Sequence, residues 1–325
     1  MRYPRRSRLA APVLLVVALF LPFAASAAER QALKLLAIGN SFSEDATAFL
    51  PAIAKAGRKN LTLGRASIGG CSLERHARHL AEARAGDENG RAYHNFVDPN
   101  TGEKRSVTLI EALEVTDWDI VTIQQVSHLS FLPETFHPYV DQLIAAIRQH
   151  APSAEIVIHA VWAYREDHPF FQKDDGFAPA KMYSKIRDTY RALAAETGFR
   201  LIPVGDAFHL ARQTPRWTYT PDPAFDFNRP PANQLPEQRG SLNVGWRWAK
   251  NKDGRPEFRL DAIHANTAGR YLGASVWYLT LFEADTLPTD YAPDGLSAED
   301  AADLRRHALA AVQAERSRPQ AVGSR

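Results

Sequence analysis

Short apolar runs of strand length, each followed by a segment of helical periodicity, constrain this chain more than any other feature. Residues 33–38, 61–68, 120–123, 156–161 and 200–204 read as buried strands. Between them, residues 72–85, 138–149 and 180–197 place apolar side chains on one helical face, as in Leu143, Ala146 and Ile147. This alternation predicts an α/β fold, with a parallel sheet covered by helices on both faces. Reactive groups in such a sheet gather at the carboxyl ends of the strands. Ser41 follows the first strand, Gly69-Gly70 the second and Gln124-Gln125 the third.

Two stretches interrupt the pattern. Residues 91–109 read as a hairpin whose turn is Asp98-Pro99-Asn100-Thr101-Gly102. Residues 213–259 form an insert rich in Pro and aromatic side chains, with a second hairpin around Asn251-Lys252-Asp253-Gly254. The insert is too poor in aliphatic residues for a core of its own, so it is expected to rim the main domain. Helices are expected at 267–282, capped by Asn266 or Thr267, and at 298–315. One domain over 28–315, with a polar tail at 316–325, accounts for the whole pattern.

The first 27 residues have another character. Arg2, Arg5, Arg6 and Arg8 precede an apolar run at 14–23 and then Ala25-Ser26-Ala27, the organisation of a cleavable signal peptide. Its apolar run is too short for a stable membrane span. The expected destination is therefore the periplasm or the medium. Removing the four leader arginines takes Lys+Arg from 39 to 35 against 37 Asp+Glu, so the net charge turns from +2 to −2. No basic run survives to suggest nucleic acid as a partner. Cys71 is the single cysteine, which excludes an intramolecular disulfide and a thiolate zinc cluster.

The residues at the strand ends suggest nucleophilic catalysis. In Ala37-Ile38-Gly39-Asn40-Ser41-Phe42-Ser43-Glu44-Asp45-Ala46 a strand, a tight turn and a helix start follow one another, with the amphipathic part at 47–56. Ser41 would stand where unpaired helical N–H groups create positive potential, and Ser43 would cap the helix. A serine hydroxyl needs a base that is itself held by an acid, and Asp261-Ala262-Ile263-His264 supplies both. The Ser41 backbone N–H and one supplied by Gly69-Gly70 are candidates for an oxyanion hole, and a side-chain amide from Gln124 or Gln125 could complete it. Trp162, Tyr164 and His168, with Trp217, Tyr219, Phe225, Trp246 and Trp248 of the insert, offer flat surfaces for sugar rings. Alternatively, Trp246 and Trp248 pack the insert onto the body.

Gly39-Asn40-Ser41-Phe42-Ser43 resembles the first block of the SGNH (GDSL-type) hydrolase superfamily, Gly69-Gly70 the second and Asp261-x-x-His264 the fifth. The blocks stand in the family's order and span about 34–283. The Gly-Asn-Ser-Phe-Ser form is similar to a less characterised bacterial branch whose members often accompany polysaccharide-degrading genes. The resemblance implies a flavodoxin-like three-layer α/β/α sandwich. It also implies Ser41 as nucleophile, His264 as base, Asp261 as orienting acid, and Ser41 and Gly70 as oxyanion donors. The family's third block, Gly-x-Asn-Asp, is absent. Gln124-Gln125-Val126-Ser127-His128 stands in its place, with Gln125 the expected third donor and His128 lining the site. Asn40, Gly69, Gln124, Trp162 and Trp246 are further expected substrate contacts.

The activity implied is hydrolysis of short acyl groups, acetyl above all, from carbohydrates, with no metal or cofactor. Lipid or thioester hydrolysis, O-acyl transfer and non-catalytic glycan binding are the alternatives.

Overall fold

The computed structural model describes residues 29–173 and 176–318. The expected signal peptide and the last residues of the expected tail lie outside them. In chain order the elements are β1 (Ala32–Gly39), α1 (Ser41–Thr47), α2 (Leu50–Ala56), β2 (Asn60–Ser67) and α3 (Leu73–Arg84). Next come β3 (Tyr93–Val97), β4 (Lys104–Val107), α4 (Leu109–Glu114), β5 (Ile120–Ile123) and α5 (Tyr139–His150). The second half holds β6 (Glu155–Ala160), α6 (Pro179–Thr197), β7 (Arg200–Pro203) and α7 (Val204–Arg212). It ends with β8 (Asn243–Lys250), β9 (Pro256–Ala265), α8 (Thr267–Leu281) and α9 (Ala298–Arg316).

Five strands form the central sheet in the order β2-β1-β5-β6-β7, and every pairing is parallel. This is the flavodoxin-like doubly wound order, as the sequence resemblance implies. Leu35, Leu36 and Ala37 of β1 and Ile120, Val121 and Ile123 of β5 are buried on both faces, which explains their unbroken apolar runs. Helix α8 packs against α1, α2, α7 and α9, while α3 packs against α4 and α5. Sequence order reverses direction around β1, so the crevice outside its carboxyl end opens beside Ser41.

Both hairpins form where the turn residues place them, as β3–β4 and β8–β9. The helix expected from Ser41 into the amphipathic stretch at 47–56 starts at Ser41 but is divided: α1 ends at Thr47, and α2 follows after a break at Ala48 and Phe49. Pro51 has no N–H to donate to a continuing helix and sits in the first turn of α2. Asp261 to His264 lie in the last stretch of β9, at the register shift between the Gly245–Asp261 and Asn243–Ala265 pairs.

Candidate active site

Ser41 is the first residue of α1, partly exposed at the carboxyl end of β1. The turn that places it is knotted by Asn40 rather than capped by Ser43. Asn40 is extended, and its Oδ1 accepts the Phe42 N–H at 3.0 Å and the Gln124 Nε2 at 2.9 Å. Its Nδ2 donates to the Cys71 carbonyl at 2.9 Å. With both ends of its amide used and 1% exposure, Asn40 is a structural cap and not the expected substrate contact. Ser43 is fully buried and donates its hydroxyl to Gln124 Oε1. A side chain at Gly39 would strike that hydroxyl, so the position requires glycine on volume alone.

Opposite the turn, His264 Nε2 lies 2.9 Å from Ser41 Oγ. Its Nδ1 lies 3.0 and 3.1 Å from the two oxygens of Asp261, and its backbone N–H donates to the same carboxylate at 3.1 Å. Serine, imidazole and carboxylate are thus in line, joined through opposite ring nitrogens. Burial pushes the Asp261 carboxyl up, but the hydrogen bonds from His264 and the charges of His264 and Arg247 outweigh it and hold it down at about 2. The hydrogen bond to Asp261 in turn raises the His264 imidazole above 6.5, against the opposing effect of its burial. An imidazole so placed can take the Ser41 proton and remain paired with a carboxylate.

The strand end that carries His264 is clamped from several directions. Trp162 Nε1 donates to the Ile263 carbonyl at 3.0 Å, and the Arg165 N–H donates to that of Ala262 at 2.9 Å. Asn243 Nδ2 donates to both carbonyls at 3.1 Å, while its Oδ1 accepts from half-buried Arg212 at 2.6 Å. Opposite Asp261, β8 shifts register at Gly245, whose φ of +75° and contact with Arg165 Nη1 leave no place for a side chain. Sequence reasoning missed these clamps because they join residues 19 to 101 positions apart with no shared motif.

On the remaining side, Gly70 has φ +61° and is exposed with Gly69 beside the turn. Among the described residues no acceptor takes the Ser41 or Gly70 N–H, which leaves both available to an anion. The expected third donor is corrected. Gln125 is fully buried, its Oε1 accepts from Leu73 and Val126 at 3.0 and 2.8 Å, and its Nε2 donates to the Thr135 carbonyl at 3.0 Å. A buried amide spends its whole hydrogen-bonding capacity on its surroundings, and here it ties the start of α3 to the end of β5. Gln124 is likewise buried, donating to Asn40 and accepting from Ser43, so it supports the Ser41 turn without facing solvent. His128 is exposed after β5.

A family model described as a domain of unknown function, DUF4886, matches residues 34–229. The chain belongs to the DUF4886 family. It is also similar to the crystal structure of a DUF4886 family protein from Bacteroides uniformis, with 27% identity, a TM-score of 0.65, and 89% of this chain and 98% of that one covered. Other similar structures include a protein provisionally named as an SGNH hydrolase from Slackia heliotrinireducens, at 20% identity and TM-score 0.47 over 77% of this chain and 99% of that one. A member of the lipolytic G-D-S-L family from Veillonella parvula is similar at 12% identity and TM-score 0.40, covering 77% and 98%. Solved SGNH and GDSL hydrolases thus stand among this chain's structural neighbours. Among curated proteins no match is found.

The DUF4886 match includes Ser41, Gly70 and the Gln124-Gln125 segment but ends before the hairpin that carries Asp261 and His264. The aromatic side chains expected at the rim of the site are largely interior. Trp162 is fully buried, stacked between Phe42 at 4.2 Å and Phe208 at 4.8 Å, so it is a wall of the core and not a sugar platform. Trp246 is half-buried, stacked on Phe258 at 4.7 Å with its N–H on Asp167 at 3.2 Å. It joins rings of the insert to one another and meets the body through Asp167, which agrees only in part with the alternative of packing the insert onto the body. Among the described residues no cluster of three or more His, Cys, Asp or Glu is arranged to hold a metal ion.

Proposed function

We propose that this DUF4886 protein is a serine hydrolase acting on carboxylic esters. The observation that carries the reading is the unbroken line Ser41 Oγ, His264 and Asp261, with 2.9 Å between hydroxyl and imidazole. Ser41 Oγ attacks the ester carbonyl as His264 Nε2 takes its proton. The oxyanion faces the Ser41 and Gly70 N–H groups, and His264 returns the proton to the departing alcohol oxygen. Water then attacks the acyl carbon as His264 takes its proton, and His264 returns that proton to Ser41 Oγ as the C–Oγ bond breaks and the acid leaves.

The finer reading is removal of short acyl groups, acetyl first, from carbohydrate hydroxyls outside the cytoplasm. Two features support it. The site is shallow, since the His264 side chain is 38% exposed and both glycines of the opposite turn face solvent. The apolar side chains next to Ser41, Phe42 and Trp162, are closed into a ring stack and do not line a slot for a long chain. An ester displayed on a bulky polymer suits such a surface.

Turnover of aryl acetate and of acetylated xylan, with Ser41→Ala as control, tests both levels. Ser41→Ala is expected to lose about three or more orders of magnitude in rate while remaining folded. An unchanged rate would refute the nucleophile. Rates that rise from acetyl to octanoyl esters would leave the hydrolase and remove the short-acyl reading.

A further inference from the structure

Helix α1 carries a second acidic side chain one turn beyond Ser41, at Asp45. It is 5% exposed. Its Oδ2 accepts the Ala265 N–H at 2.8 Å, and its Oδ1 accepts Arg270 Nε at 2.8 Å. Ala265 directly follows His264, and Arg270 lies in the first turn of α8. Asp45 does nothing for its own helix. Asn40 already caps α1, and a negative charge in the last turn opposes the helix dipole. Burial moreover pushes its carboxyl above the ordinary range, despite Arg270 beside it. A buried carboxylate held under such a penalty needs another explanation.

We propose that Asp45 is a positioning residue of the site, pinning the strand end that bears His264 against the helix that bears Ser41 and stabilising the imidazolium formed when His264 takes the Ser41 proton. The inference rests on Ser41 and His264 acting as nucleophile and base. From α1, Ser41 and Asp45 face this region. Asp261 of β9 and Arg247 of β8 also face it, and Arg270 of α8 reaches it through Asp45. The two carboxylates act in one direction on His264 and Arg247 in the other. Asp261 contacts the ring itself, whereas Asp45 acts through the next peptide and through space.

Two variants separate geometry from charge. Asp45→Asn keeps an oxygen for the Ala265 N–H and removes the charge, whereas Asp45→Ala removes both. The readouts are the pH dependence of kcat/KM on an aryl acetate and an NMR titration of the His264 ring. In Asp45→Asn the acid limb and the ring titration should both fall by about half a unit or more, with KM unchanged. In Asp45→Ala kcat should fall about 100-fold with KM near that of the parent protein. An unmoved His264 titration in folded Asp45→Asn, or undiminished kcat in folded Asp45→Ala, overturns the inference. If Asp45→Ala does not fold, the Asn variant decides alone. Absence of ester turnover in the parent protein would sink the hydrolase reading, while the NMR shift would still decide the coupling of Asp45 to His264.

Discussion

The two halves of the candidate site are held to different degrees by distant residues. Ser41 is placed first by its neighbours, a strand end, the Asn40 cap and the first turn of α1, with Gln124 and the Cys71 carbonyl bracing the cap from outside. His264 is placed by Trp162, Arg165, Asn243 and Asp45, which come from three other parts of the chain. A turn set mainly by adjacent residues keeps most of its shape when distant side chains change. A strand end pinned by distant side chains depends on the whole fold. The nucleophile half should therefore tolerate remote change, and the base half should register it first.

The strongest test replaces the group that both orients His264 and charges it. Asp261→Asn should lower kcat by about three to four orders of magnitude, because the amide no longer fixes the tautomer that leaves Nε2 free to accept. The pH profile should move as well. His264 titrates above 6.5 in the parent protein, so activity there should rise only as the pH passes above that value, and the limb should fall in the variant. Stability gives a second signature. The Asp261 carboxyl is held at about 2 against 3.8 in the unfolded chain. Its contribution, about 2 kcal/mol, is complete above 3.8 and disappears as the pH falls through 2. Urea melts at about pH 5 and pH 2 should show the two proteins converging at the lower pH, and a constant gap would contradict the assigned pairing.

Asn243→Ala probes the remote half without touching the reacting atoms. It deletes the donor to the Ala262 and Ile263 carbonyls and an acceptor of half-buried Arg212. Activity should fall roughly 10- to 100-fold, mostly in kcat, since a displaced base costs alignment more than binding. Stability should fall by about 2 kcal/mol, read as a lower urea midpoint at constant slope. Full kcat with lowered stability would show that the clamps serve the fold alone and would erase the contrast between the halves.

The same contrast explains what could be read from the sequence. Strands, hairpins and the Ser41 turn rest on patterns within about ten residues, and those patterns carried the sheet, the strand ends and the three side chains that the fold brings into line, Ser41, His264 and Asp261. Gln125 failed as an oxyanion donor because its chemistry was judged without its surroundings. An amide at a strand end can face the site or brace the next helix, and only the fold brings Leu73 and Thr135 within reach. Trp162 failed for the same reason, since Phe42 and Phe208 close on its two faces from 120 and 46 positions away. Asp45 was within reach of sequence reasoning. It stands four positions from Ser41, on the same helical face.

The smallest effect is expected at Trp246, on the hairpin that bears Asp261 but away from the clamps. Trp246→Phe keeps a ring to stack on Phe258 and loses the N–H that donates to Asp167. Asp167 retains the two-point pair with Arg165 at 2.7 and 2.8 Å. The loss should therefore stay within about 1 kcal/mol of stability. Turnover of an aryl acetate and of acetylated xylan should stay within about twofold of the parent protein, because neither Ser41 nor the Ala262–Ile263 carbonyls lose a partner. A selective rise in KM for the polymer, with the aryl ester unaffected, would return Trp246 to the substrate surface. It would also show that the hairpin serves the site through its outer face as well as through the strand end it delivers.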